Sequence, residues 1–159
     1  MNNENPSISI NYFATLNIIF FALLSGQTIY FFIGLFLMQS DNTNTFAGMN
    51  TLFMFVTPVV VLSSILASKF IYTKQVSAFD KGLPVLDKMV SYRTATIIRL
   101  ALLESANIFS ISVMLITSDY FFAALFVIII ILFFLNRPTK EKFIMDYEVS
   151  ADDAVKLIS

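Results

Sequence analysis

The sequence predicts an all-α fold: a membrane four-helix bundle with a short C-terminal helix on the cytoplasmic side. Three observations predict it. Of 159 residues, 57% are hydrophobic and only 13% charged, against roughly 45 to 50% and about 25% in a soluble domain. Four apolar stretches stand out: Tyr12 to Met38, Phe46 to Tyr72, Ala95 to Thr117 and Tyr120 to Leu135. All ten Lys and Arg residues lie either in or beside the loop between the second and third stretches or beyond the fourth.

Lipid cannot satisfy backbone amides, so a spanning segment is a helix or part of a closed barrel. The run Phe126-Val127-Ile128-Ile129-Ile130-Ile131-Leu132 lacks the alternation of a barrel strand and reads as helix. The expected organisation is a bundle over residues 1–136, with spans at about 12–38, 46–72, 95–117 and 119–136, and a tail over 137–159.

The stretch from Met1 to Asn11 carries Glu4 and no basic residue. A cleavable signal starts basic and has a core of about 7 to 15 residues, so the first apolar run is read as a retained span. The first three runs exceed the roughly 20 residues a crossing needs. The fourth is short and reaches full depth if Arg137 snorkels to the headgroups.

Pro58, inside the second run and preceded by Thr57, predicts a kink there. Gly82 and Pro84 punctuate the middle loop, and nothing after Val85 breaks a helix before Thr117, so the third helix is expected to begin near Leu86. Tyr72, Tyr92 and Tyr120 lie near span ends, as interfacial rings do. Ser150, followed by Asp152 and Asp153, predicts the start of a short amphipathic helix in the tail, with a frayed terminal segment as the alternative.

The connectors Gln39 to Thr45 and Ser118 to Asp119 hold Asp41 and Asp119 but no Lys or Arg. The positive-inside rule therefore places the middle loop, the tail and both termini in the cytoplasm.

Nine residues from Ala22 to Tyr30 align without gaps on Ala101 to Phe109, both beginning Ala-Leu-Leu and both ending Ile-aromatic. The first and third spans enter from one side, so the match would make two parallel-repeat hairpins. Similarity among Leu- and Ile-rich helices gives the same pattern without duplication. The alignment superposes Ala22 and Gly26 on Ala101 and Ser105, small residues four apart that let helix backbones approach. They are the candidate helix-packing residues, inside the bundle or between copies.

With no Cys and no His, thiolate and imidazole metal sites, His-based triads and Cys nucleophiles are excluded, and no catalytic residue, metal or cofactor is predicted. A net charge of -1 gives no case for a nucleic-acid partner. The partners expected are the lipid bilayer and a homo-oligomer or membrane-complex subunit. Glu104 is the only acidic residue in the interior of a predicted span. A charged carboxylate at that depth costs about 3 kcal/mol, so it is expected to be protonated, paired or facing water. Gln27 lies at similar depth, and Asn107 follows Glu104 by three positions. Glu104, Asn107 and Gln27 form the candidate polar site, either for a proton, cation or substrate, or as a hydrogen-bond cluster that fixes packing. Arg93 shares the Glu104 face but lies about 16 Å lower along the axis, too far for an ion pair.

Arg99-Leu100-Ala101-Leu102-Leu103-Glu104 and the closing Arg137-Pro138-Thr139-Lys140-Glu141-Lys142 resemble stretches shared by a group of small four-span bacterial membrane proteins. The resemblance covers the whole chain and implies a bacterial inner membrane. The group carries no assigned activity, so no functional residue follows from it. Rotary ATPase proteolipids and small multidrug transporters also carry a membrane carboxylate, in the second helix of a hairpin and in the first span respectively. Glu104 occupies neither place. The residues leave two functions open: association as a structural or accessory subunit, or a small transporter or proton- or cation-coupled protein that uses Glu104.

Overall fold

The computed structural model describes residues 6–40 and 49–158, and among these there is no strand. Six helices follow in order: α1 (Pro6–Ser40), α2 (Asn50–Ala78), α3 (Val85–Thr117), α4 (Phe121–Leu135), α5 (Lys140–Asp146) and α6 (Ala151–Ile158). Glu4, Asp41 with the rest of its connector to Thr45, and the predicted start of the second span at residues 46–48 lie outside the described residues.

At 1.5 Å per residue, α1, α2 and α3, with 35, 29 and 33 residues, each exceed the thickness of a hydrocarbon layer. α4 has 15 residues and reaches only about 22 Å. α2 runs through Pro58 without interruption. Pro84 directly precedes α3, where its missing N–H costs nothing and its φ of -54° suits a helix entry. Ser118, in the left-handed region at φ 53°, ends α3. Asp119 then accepts the backbone N–H of Phe121 at 2.8 Å and the side-chain amide of Asn50 at 2.9 Å, which ties the start of α2 to the α3–α4 turn.

α3 is the hub, packing against α1, α2 and α4. Half of its most apolar window is buried, against 17% in α1 and in α2. α1 runs parallel to α3, with Tyr12 beside Arg93, Gln27 beside Asn107 and Tyr30 beside Ser112. α2 runs antiparallel, with Tyr72 beside Arg99 at one end and Asn50 beside Asp119 at the other. The core is a column of three clusters. Phe20, Val61, Leu100, Leu103, Ala106, Ile129 and Phe133 fill the middle. Ile111, Met114, Phe122 and Phe126 fill the end nearest the α3–α4 turn, where Phe31 stacks on Phe126 at 4.0 Å.

The opposite end is closed by the chain itself. α5 turns away from α4 by 73° after Pro138. Thr139 caps α5 by accepting the N–H of Lys142 at 3.3 Å, and its own N–H and carbonyl both bond the Tyr92 hydroxyl. The Lys142 ammonium donates to the carbonyls of Leu135 and Arg137, supplying the partners that the end of α4 lacks. The segment read above as a mixed tail therefore packs back on the bundle: Phe143 and Tyr147 are fully buried with Phe13, Leu16, Met89 and Tyr92. α6 follows, with Ser150 accepting the N–H of Asp153 at 3.4 Å at its start.

Candidate functional site

Gln27 and Asn107 meet in the middle of the bundle. The parallel course of α1 and α3 brings residues 80 apart in sequence to one depth, and the Asn107 side-chain amide donates to Gln27 Oε1 at 2.5 Å. Both side chains are sealed from the outside, at 1% and 0% exposure. Gln27 Nε2 and Asn107 Oδ1 have no partner among the described residues.

Glu104 does not join them. It is half-buried, one helical turn from Asn107 on the side of α3 that borders the exposed Ala101, Ser105 and Ile108. It makes no hydrogen bond or ion pair among the described residues. Arg93, too low to pair with it, instead lies over the Tyr12 ring with its guanidinium carbon 5.9 Å from the centroid. The three residues of the predicted polar site thus divide into a joined amide pair and a separate carboxyl group.

The small residues divide from the bundle altogether. Ala22, Gly26, Ala101 and Ser105 are all exposed, and a Cβ added to Gly26 would meet nothing within 4 Å. They do not pack α1 on α3 inside this chain. The inward arc of α1 holds Phe13, Leu16, Phe20, Gln27 and Gly34, and Ala22 and Gly26 fall on the other side. The close approach is made at Gly34, where a Cβ would lie 3.2 Å from Met114 Cε and 3.5 Å from Ile111 Cγ2. Gly34 has no small neighbour at spacing four to flag it in the sequence.

A second polar group links α2, α3 and α5 and was also missed. Tyr72 donates to Asp146 at 2.5 Å, and the Arg99 guanidinium stands 4.6 Å over the Tyr72 ring. Ser91 and Tyr147 share a hydrogen bond at 3.0 Å, and Lys81 pairs with Glu148. Burial pushes the Tyr147 phenol above its ordinary value, the Ser91 bond opposes this and the charge of Asp146 adds to it. The signal available was Phe143 and Tyr147, aromatics at spacing four behind the capping residue Thr139. On α2, the buried Thr57 hydroxyl has no partner among the described residues.

Among the described residues, three helices are long and apolar enough to cross a bilayer, or four if the bent pair α4–α5 counts as one span, which supports a multi-pass helical membrane protein. Comparison with protein-family models, curated proteins and solved structures found no match.

Proposed function

We propose that this chain is a non-enzymatic protein of the bacterial inner membrane that works by helix association, as a homo-oligomer or as an accessory subunit of a membrane complex. The observation that carries the reading is the outward face shared by α1 and α3. Two steps of small residues, Ala22–Gly26 and Ala101–Ser105, are exposed there, and Glu104 borders them without a partner among the described residues. In lipid, small residues permit close backbone approach and polar groups bind helices together, so this face is suited to another helix.

The orientation belongs to the same reading. Arg93, Arg99, Arg137 and Lys142 cluster at the end closed by α5, and the opposite turn carries Asp119 and no cation, which supports a cytoplasmic middle loop and C-terminal segment. The small four-span bacterial group that the chain resembles fits that assignment. A duplicated hairpin is supported by the near-register pairing of α1 with α3, at separations of 80 and 82 residues. The second helices do not repeat it, because α2 packs chiefly on α3.

The chain has no native Cys, so single Ala22→Cys and Gly26→Cys variants report cleanly on neighbours. Oxidation in native membranes is expected to give disulfide-linked dimers, or adducts with a partner, from these positions and none from Gln27→Cys. Recovery of monomers alone at every outward position overturns the reading. The lack of a partner for Glu104 among the described residues favours a second reading, a small ion-coupled transporter. Glu104→Gln that keeps every growth and transport phenotype of the parent removes it.

A further inference from the structure

We infer that the Gln27–Asn107 pair is a hydration site that holds an internal water at mid-depth in the bundle. The inference goes beyond the association reading and does not depend on it. A primary amide carries two N–H donors and a carbonyl acceptor. Between these two amides one hydrogen bond forms, from Asn107 Nδ2 to Gln27 Oε1. The return bond that would close a cyclic amide pair is absent, because Gln27 Nε2 and Asn107 Oδ1 are both without a partner. Neither side chain reaches the surface, so neither atom can find its partner in bulk water or at the headgroups.

What remains is the Gln27 amide donor group and the Asn107 carbonyl acceptor, on the two residues that the one bond joins. That remainder selects its ligand. A metal cation has no lone pair to accept the Gln27 N–H, and an unprotonated anion has no proton to give to Asn107 Oδ1. A neutral molecule that accepts and donates at one atom satisfies both, and water is the smallest. Turning both amides over leaves the remainder unchanged, again one acceptor and one donor, so the selection does not rest on which amide atom is nitrogen. Buried waters occupy this kind of place, bridging two or more otherwise unsatisfied polar groups.

The test uses the full chain in lipid bilayers, uniformly labelled with nitrogen-15, and reads magnetisation transfer from water to backbone and side-chain amides by solid-state NMR. Transfer to the side-chain amides of Gln27 and Asn107 is expected to build up at least several-fold faster than to the backbone amide of Leu103, which is buried one turn before Asn107 on α3. In Asn107→Leu the fast transfer to Gln27 is expected to disappear. Build-up at both amides no faster than at Leu103 overturns the inference, and so does scalar coupling across hydrogen bonds in both directions between the two amides. The wild-type measurement decides the matter if Asn107→Leu does not fold.

Discussion

Tyr72 on α2 donates a hydrogen bond to Asp146 at the end of α5, across 74 residues of sequence and 2.5 Å of space. The contact fastens the segment after the last span to the bundle, and Arg99 packs on the other side of the same ring. Phe143 and Tyr147 seat beside it in the cluster formed with Phe13, Leu16, Met89 and Tyr92.

Phe143→Ala removes a fully buried ring from that cluster and is expected to cost about 3 to 5 kcal/mol. Tyr72→Phe keeps the ring under Arg99 and removes only the donor to Asp146, an expected cost of about 1 to 2 kcal/mol. Limited proteolysis in nanodiscs reads both. Cleavage in the stretch from Asn136 to Lys142 should rise strongly for Phe143→Ala and weakly for Tyr72→Phe, and equal protection of all three proteins would show that α5 is not seated as described.

The seat of Tyr147 also sets a pH dependence. Burial, the largest influence on the phenol, raises its folded value above the ordinary 10.0. A raised value means that the folded state holds the proton more tightly than the unfolded one. The stabilisation is therefore fully present below pH 10.0 and is lost as pH rises through the folded value. Protease protection of α5 should fall on alkaline titration above that point, and Tyr147→Phe should shift the onset upward.

The two glycines of α1 are expected to respond in opposite ways. Gly26→Leu meets open space within the chain and should leave monomer stability unchanged or raise it by up to about 1 kcal/mol through helix propensity. Gly34→Leu drives a branched side chain against Met114, Ile111 and Leu115 and should cost about 1 to 3 kcal/mol. Under the association proposal Gly26→Leu also weakens the oligomer. Thermal unfolding in mild detergent, with sedimentation for the mass, separates the two effects.

Replacing one member of the amide pair leaves the other buried without its bond. Gln27→Leu alone should therefore cost about 1 to 3 kcal/mol, whereas Gln27→Leu with Asn107→Leu should recover much of that loss. A double-mutant cycle in denaturant measures the difference, and strict additivity of the two single costs would contradict the pairing.

Hydropathy determined that the described residues are helical, where the apolar stretch at the heart of each of α1 to α4 lies, and that α4 is short, because an apolar run in lipid has to satisfy its own backbone. It also singled out Gln27, Asn107 and Glu104, since polar side chains are conspicuous in such runs. What it left undetermined was rotation about each helix axis. A soluble helix declares its inner face by contrast with its polar one, but Ala22, Phe20, Gly26 and Gly34 lie on a helix that is apolar all round, and local spacing does not say which of them meets a neighbour. Only the packing of α1 on α3 decided that Gly34 is the point of close approach, that Ala22, Gly26, Ala101 and Ser105 face outward, and that Gln27 reaches Asn107 while Glu104 stands apart. The docking of α5 was likewise a tertiary matter. Seven residues are too few to carry a helical signature, and Phe143 and Tyr147 acquire their meaning from the pocket that Phe13, Leu16, Met89 and Tyr92 make far away in the chain.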